Sequence, residues 1–589
     1  MILFFDNREN IIFAVQTQKQ LSNSDINKLS WLFGNSSLVD SDVIKSTYLG
    51  PRAVMVSPWS TNAVEMTQNM GINHINRIEK YVKIDRYFKE YDPMLFEKFT
   101  ELNQSIFIIN IDPEPINHID NIESYNESEG LSLSKEEVNY LLNVSNEIGR
   151  KLTDSEIFGF SQVNSEHCRH KIFNGKFIID GKEMPNSLFK MIKETSKVNS
   201  NKIVSAYKDN VAFIKGPVVN QFSPTRSDIA DYYKLKSFES VISLKAETHN
   251  FPTTVEPFNG AATGSGGEIR DRLAGGKGSI PMAGTAVYMT PYSRFNKYSW
   301  EKKIIKRDWL YQNPIDILIK ASNGASDFGN KFGQPLICGS ILTFENQENN
   351  DIQGYDKVIM LAGGIGYAKA TDAIKENPKL GDRIIVMGGE NYRIGMGGAA
   401  VSSADTGEFS SGIELNAIQR SNPEMQKRVA NAIRGVIESE DNFIISIHDH
   451  GAGGHLNCLT ELVENSGGII NIDKLPIGDS TLSFKEIIGN ESQERMGLLV
   501  NEKKLEVLNR ICERERAPIY DVGHVTDNGK FTIKSDKIST KAVDLKLKHF
   551  FGSSPTTIIE DVSFQKSYSE LNYNSNDFYI YLKNLLKLE

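Results

Sequence analysis

The sequence predicts a multidomain α/β protein, and its length, a change of texture near residue 200 and strands that run into glycine- or histidine-rich loops carry that prediction. A chain of 589 residues exceeds what one hydrophobic core supports, so several domains are expected. From about residue 200 short apolar runs precede such loops: Val241 to Ala246 before Glu247, Val358 to Ala362 before Gly363, Ile384 to Met387 before Gly388, and Ile444 to Ile447 before His448. Asn422 to Ile437 and Leu456 to Asn465 read as helices between some of them, the alternation of an α/β fold. Such folds place ligand groups at strand ends.

Before residue 200 the elements differ. Ile11 to Val15 and Ser105 to Ile109 read as buried strands, and Ser24 to Phe33 as an amphipathic helix. Asp112 to Glu129, rich in Asp, Glu, Asn, Pro and Ser, reads as a linker. Ser134 with Glu137, and Thr153 with Glu156, are capping-box patterns that predict two helix starts. After about residue 550 the chain turns polar and offers one short helical run, Asp577 to Leu588.

Composition excludes several function classes. Hydrophobic residues at 39% and charged residues at 24% suit a soluble protein. A net charge of -9 argues against a chain that coats nucleic acid, which needs a basic excess. No stretch reaches the run of about 18 apolar residues needed to span a membrane. The N-terminus meets Asp6, Arg8 and Glu9 at once, unlike a signal peptide. Cys168, Cys338, Cys458 and Cys512 are scattered without CxxC spacing, which suits a reducing cytoplasm.

Leu244 to Pro252 is the most informative segment. A strand's period of two puts Lys245 and Glu247 on one face, His249 continues that parity, and Pro252 bars an immediate helix. A phosphate on Lys245, Mg²⁺ on Glu247 and proton transfer at His249 would fit. On spacing alone, a partly exposed Lys-Glu pair beside a strand-end histidine is the better reading. Gly260 to Asp271 holds four glycines in its first eight residues and reads as a loop whose N–H groups form a phosphate nest, with Arg270 for phosphate and Asp271 for Mg²⁺. It lacks GxxxxGK[ST], and glycine-rich loops alone are weak signals. His167 and His170 are expected together near the end of the helix begun at Thr153, as zinc ligands, as a catalytic and a ligand-contacting histidine, or as a plain helix-end pair. His448, Asp449, His450 and His455 have a metallohydrolase look, but strand alternation separates Asp449 from the flanking histidines, so zinc ranks low. Phe332 to Leu336, Gly388 to Gly398 and Glu491 to Met496 read singly as turns.

Together, Ser165 to Lys171, Lys245 to Pro252, Gly260 to Asp271, Phe332 to Ser340, Gly388 to Gly398, Gln419 to Met425, His448 to Gly454 and Glu491 to Met496 resemble phosphoribosylformylglycinamidine synthase, in that family's order. Val56 to Thr61 also resembles the N-terminal domain of its large, single-chain form. The resemblance implies ATP-dependent conversion of formylglycinamide ribonucleotide (FGAR) and glutamine-derived ammonia to the amidine (FGAM). It implies that His167 is catalytic and His249 the proton acceptor. His170, Lys245 and the segment Gly260, Ala261, Ala262, Thr263, Gly264, Ser265, Gly266, Gly267, Glu268 and Ile269 would contact ATP. Thr248, Asn250, Phe251, Arg270, Gln419, Glu491, Ser492 and Gln493 would contact substrate, and Glu247, Asp271 and Asp449 would hold Mg²⁺. Three segments depart from the family: Phe251 replaces a second histidine of many relatives, His170 a tyrosine of small relatives, and His448-Asp449-His450 the commoner Gln-Asp-Leu.

The implied architecture is an N-terminal domain with acidic linker (1–140), a helical linker domain (141–199), an ATP-binding synthetase domain (200–370) and a second synthetase domain (371–550), both with mixed sheets, then the start of a second half (551–589). No cysteine sits in the glycine-flanked elbow of a glutaminase, so ammonia is expected from elsewhere. A first half alone would pair with a second half or with itself, or be an incomplete gene product. The alternatives are a non-catalytic nucleotide-binding or assembly subunit and a zinc hydrolase; related synthetases making aminoimidazole ribonucleotide or selenophosphate lack the His167 segment and N-terminal domain.

Overall fold

The computed structural model describes every residue except 54–55, 90, 92–95, 305, 310, 349–350, 399–416, 492–493, 552–553, 566 and 587–589. Two compact units form: Met1–Pro115 with Glu390–Arg393 and Pro476–Ser483, and the remainder of the chain.

The first unit is a six-stranded sheet with two helices, Asn23–Leu32 and Pro58–Asn69. Its order is Ser37–Leu38, Ile2–Asp6, Ile11–Thr17, Ile75–Lys83, Ile44–Pro51, Phe96–Leu102, all antiparallel. Strand alternation gives it two cores. Ile2, Phe4, Ile12, Ala14 and Tyr81 fill one face, while Phe5, Val15 and Ile78 meet Leu29, Phe33 and Ala63 on the other. Ser105 to Phe107 lies in a turn and Ile108–Ile109 follow without regular structure, so the expected strand does not form. Ile106 and Phe107 enter the core, Ile108 stays 58% exposed, and the Arg77 guanidinium lies 4.5 Å from the Phe107 ring. A short apolar run does not by itself separate a strand from a buried turn.

The second unit opens with helices. Ile122–Glu129 lies inside the stretch expected to be linker. Asn121 caps it by accepting from the Ser124 N–H, and Gly130 closes it at φ 63°. Caps decide here what low apolar content obscured. Both capping boxes form, starting Lys135–Ile148 and Asp154–Val163. The latter helix stops at Asn164, and Ser165 caps a separate short helix, Glu166–Arg169. His167 and His170 therefore do not extend the helix begun at Thr153.

A mixed six-stranded sheet follows, ordered Leu336–Thr343, Ile280–Thr290, Ile359–Lys369, Tyr233–Thr248, Ala212–Pro224, Ile203–Ser205. Ile359–Lys369 runs straight through Gly363, Gly364 and Gly366 instead of ending there as expected. A Cβ on Gly364 would stand 2.5 Å from the Ala283 carbonyl oxygen and 2.7 Å from the Arg272 guanidinium carbon, so glycine makes room there. The seven-stranded sheet behind it is ordered Ile444–Asp449, Arg495–Val500, Arg383–Gly388, Ile519–Val525, Gly468–Asn471, Lys530–Lys534, Val543–Lys546.

Between the sheets lies helix Pro257–Leu273, buried nearly all round. Ala261 packs with Ala286, Leu318, Ala325 and Met360 of the first layer, whereas Ala262, Ile269 and Leu273 join Ile385, Val429, Ile433 and Leu498 of the second. Among the described residues no helix is long and apolar enough to cross a membrane.

Candidate active site

A cavity of about 240 Å³ opens where the two sheets present their strand ends to this helix. Tyr233–Thr248 delivers Lys245, Glu247 and Thr248, with His249 just beyond; Ile444–Asp449 delivers His448 and Asp449. The helix contributes Thr263, Gly267, Arg270 and Asp271, one face at steps of four, three and one.

That face corrects the loop reading of Gly260 to Asp271. In a helix the N–H groups bond backward to carbonyls, so no phosphate nest exists there. The glycines serve packing instead. A Cβ on Gly260 would lie 2.3 Å from the Pro252 carbonyl carbon, and one on Gly264 would lie 2.9 Å from His249 Cβ. Each glycine costs about 1 kcal/mol against alanine within a helix, which close backbone approach offsets. Of the segment expected at ATP, only Thr263 and Gly267 line the cavity; Gly260, Ala261, Ala262, Gly264, Ser265, Gly266, Glu268 and Ile269 do not. Glu268 instead forms a buried ion pair with Arg272 at 2.6 Å and accepts from Gln334 at 2.7 Å.

Charge is concentrated at one end of the cavity. Lys245 Nζ stands 2.8 Å from Asp271 and 3.4 Å from Glu247, the side-by-side exit that strand alternation requires. Burial raises the Asp271 carboxyl well above the usual range, and the Glu247 charge adds to this. Burial would raise Glu247 too, but Lys245 and a hydrogen bond from Asp271 bring it below its usual value. Burial works against the Lys245 ammonium, yet Asp271 and Glu247 raise its pKa. Asn210 Nδ2 donates to Asp271 at 3.0 Å and to Asp449 at 2.6 Å. Asp449 lies below its usual value despite burial, through the neighbouring His448, whose Nδ1 is 3.9 Å away, and the Arg270 charge.

Two histidines line the same cavity. His249 Nδ1 lies 2.6 Å from the Gly260 carbonyl oxygen, which only accepts, so the hydrogen sits on Nδ1 and Nε2 keeps its lone pair. Burial lowers its pKa to about 4. His167 is likewise held below its ordinary value by the surrounding protein, with Glu247 opposing.

The remaining expected residues divide. Arg270, Gln419, Glu491 and Thr248 line the cavity; Arg270 Nη1 donates to Gln426 at 2.9 Å, and Glu491 accepts from the Gly453 N–H at 3.1 Å. Phe251 does not; it is 3% exposed and packs on Val255, Ala417 and Ile418. Asn250 is absent from the lining. His170 is exposed at φ 50°, its ring 5.9 Å from Phe189. Ser492 and Gln493 lie outside the described residues. His448 faces Glu461 at 3.1 Å in the lining, but His450 and His455 are buried and bonded to each other at 2.9 Å. Arg495 donates to His455 Nε2 at 2.9 Å, so His455 carries its hydrogen on Nδ1 and gives it to His450. Sequence reasoning missed Asn210, Asn457 and Glu461. Lys208-Asp209-Asn210 looks like an ordinary turn, and nothing local marks it.

Comparison with known proteins follows the chain in order. Residues 10–104 match the formylglycinamide ribonucleotide amidotransferase N-terminal family, 122–171 its linker domain, and 379–536 the AIR synthase related protein C-terminal domain. Thermotoga maritima PurL complexed with FGAR is 22% identical with a TM-score of 0.49, over 74% of this chain and 58% of that chain. The same protein complexed with ATP gives 21% and 0.48, again over 74% and 58%. A HypE-HypF complex gives 14% and 0.38, over 60% of this chain and 99% of that one. This chain thus spans less than two thirds of the T. maritima protein. With both amidotransferase-specific domains preceding an AIR synthase-type domain, the chain belongs to the phosphoribosylformylglycinamidine synthase family.

Proposed function

We propose that this chain carries the synthetase chemistry of its family: ATP phosphorylates the amide oxygen of FGAR, and ammonia displaces the phosphate to give FGAM. The observation that carries this reading is a single cavity in which Lys245, Glu247, Asp271 and Asp449 share walls with two neutral histidines, His167 and His249. The T. maritima relatives complexed with FGAR and with ATP suggest the ligands.

An amide oxygen is a poor leaving group, and transfer of the γ-phosphoryl with loss of ADP makes it a good one. Lys245 and Arg270 supply fixed positive charge for the phosphoryl oxygens. Ammonia then forms the C–N bond as the C–O bond to phosphate breaks, and the nitrogen must lose a proton. His249 Nε2, uncharged at neutral pH, is the acceptor assigned to that proton, and Gly260 holds its ring. His167 acts beside it at the reacting carbon.

The donor set fits Mg²⁺. Among the described residues no three His, Cys, Asp or Glu side chains form a ready cage. Mg²⁺ nevertheless commonly takes one or two carboxylates and completes its shell with phosphate oxygens and water. Glu247, Asp271 and Asp449 are oxygen donors crowded enough that the charges of Glu247 and Asp449 help raise the Asp271 carboxyl well above its usual range, a repulsion that a divalent cation relieves. When bound, the ion would neutralise charge on the transferring phosphoryl.

Ammonia is assigned to a separate glutaminase domain or subunit, and the setting to a reducing cytoplasm, where the free cysteines stay reduced. Val218, Phe222 and Leu235, between 67% and 68% exposed, stand on the six-stranded sheet. We assign that face to a second synthetase half or a second copy. The test is FGAM formation from FGAR, ATP, Mg²⁺ and ammonium chloride by the purified chain, beside His167→Ala. Turnover abolished by the substitution supports catalysis within this chain. Saturable ATP and FGAR binding without turnover would favour the non-catalytic subunit.

A further inference from the structure

Asn210 donates to two acidic side chains that come from different layers of the fold. Asp271 stands on the helix between the sheets, and Asp449, 239 residues beyond Asn210, ends a strand of the seven-stranded sheet. Carboxylate oxygens accept, so the amide nitrogen of Asn210 must face both, and each of its two hydrogens has one carboxylate, at 3.0 and 2.6 Å. The turn presenting Asn210 is itself fixed. Asp209 accepts the Asn210 N–H at 2.9 Å and the Gly276 N–H at 2.7 Å, and pairs with Lys375 at 2.6 Å.

We propose that Asn210 is a positioning residue that sets the separation at which Asp271 and Asp449 take a divalent cation; this rests on the Mg²⁺ reading of the cavity. An amide that donates to two carboxylates holds like charges near each other without adding charge, and it orients their remaining lone pairs. A lysine there would cancel the charge that attracts the ion. An aspartate would add charge but remove both donors. Loss of a group that orients a metal-binding side chain typically costs about 10–100-fold in metal affinity. Spacing also governs selectivity, because Mg²⁺ demands shorter, more regular oxygen distances than Ca²⁺.

The test is titration calorimetry of the full chain with Mn²⁺, Mg²⁺ and Ca²⁺, with and without ATP, comparing the native protein with Asn210→Ala and Asn210→Ser. Circular dichroism checks folding. Asn210→Ala is expected to weaken Mn²⁺ and Mg²⁺ binding by about 10–100-fold, and Asn210→Ser, which keeps one donor, by less. Ca²⁺ should lose less than Mg²⁺, so the Ca²⁺ to Mg²⁺ affinity ratio rises, a change that general loosening of the fold would not produce. If Asn210→Ala does not fold, Asn210→Ser carries the comparison. Native-like affinities and an unchanged ratio in a folded variant would overturn the role of Asn210 and leave the cation reading standing. A native chain that binds none of the three ions, even with ATP, would overturn both.

Discussion

His249 gives its Nδ1 hydrogen to the carbonyl oxygen of Gly260 across 2.6 Å. One contact fixes the tautomer of the proposed base, and the helix that supplies the carbonyl also supplies Arg270 and Asp271 to the cavity.

This contact has a pH signature. His249 titrates near 6.5 when unfolded and at about 4 in the fold. Between those values the unfolded chain binds the extra proton. The contribution of His249 to stability is therefore complete above pH 6.5 and is lost as pH falls toward 4. Thermal melts at pH 7.5 and 5 are expected to show a larger loss for the native chain than for His249→Gln. An equal loss in both would show that His249 is not the group responsible. The same substitution should lower FGAM formation by roughly 10²–10⁴-fold.

Gly260→Ala tests whether the glycines pack or bind. The added Cβ would meet the Pro252 carbonyl and the Thr253 nitrogen at 2.3 to 2.4 Å, and both are backbone atoms. A cost of about 1–3 kcal/mol or more is expected, read as a lower urea midpoint. Weakened ATP binding at unchanged stability would instead restore the nest reading.

Lys245→Met removes the cation between Asp271 and Glu247. Breaking such a pair costs about 3–5 kcal/mol when fully buried, and the 19% exposure of the Lys245 side chain places this one toward the lower end. Without the ammonium the folded carboxyls titrate higher. Groups raised on folding stabilise at low pH and lose that contribution as pH rises. The variant's melting temperature should thus fall further behind the native chain's at pH 8.5 than at pH 5.5; a constant difference would count against this coupling.

Arg495 donates to Asn490 O at 2.7 Å, Asn490 Oδ1 at 2.9 Å and His455 at 2.9 Å, all buried. Arg495→Leu leaves these acceptors without those donors, at about 1–3 kcal/mol for each left unsatisfied. Chemical denaturation should show a clear loss of stability. Because Asn490 precedes Glu491, which lines the proposed substrate cavity, FGAR affinity is expected to drop as well. Native-like stability would mean that water replaces the guanidinium.

Local chemistry made much of the fold legible. Both capping boxes, at Ser134 and Thr153, formed because a serine or threonine three residues before a glutamate satisfies helix-end N–H groups without distant help. Lys245 and Glu247 emerged side by side because a strand has a period of two. The limits were also local. Four glycines suggested a loop at 260–267, but burial between two sheets rewards a thin helix there.

The sequence by itself determined the element types wherever caps and alternation spoke, the ordered set of chemistry-bearing segments, and the departures at Phe251, His170 and His448. Tertiary structure alone decided which of those residues meet. It turned Phe251 into the core, left His170 off the cavity, buried His450 and His455 against Arg495, and brought Asn210 between Asp271 and Asp449. The reason is physical. Hydrogen bonds near in sequence are fixed by spacing, whereas a contact spanning 239 residues depends on how two sheets pack about one helix.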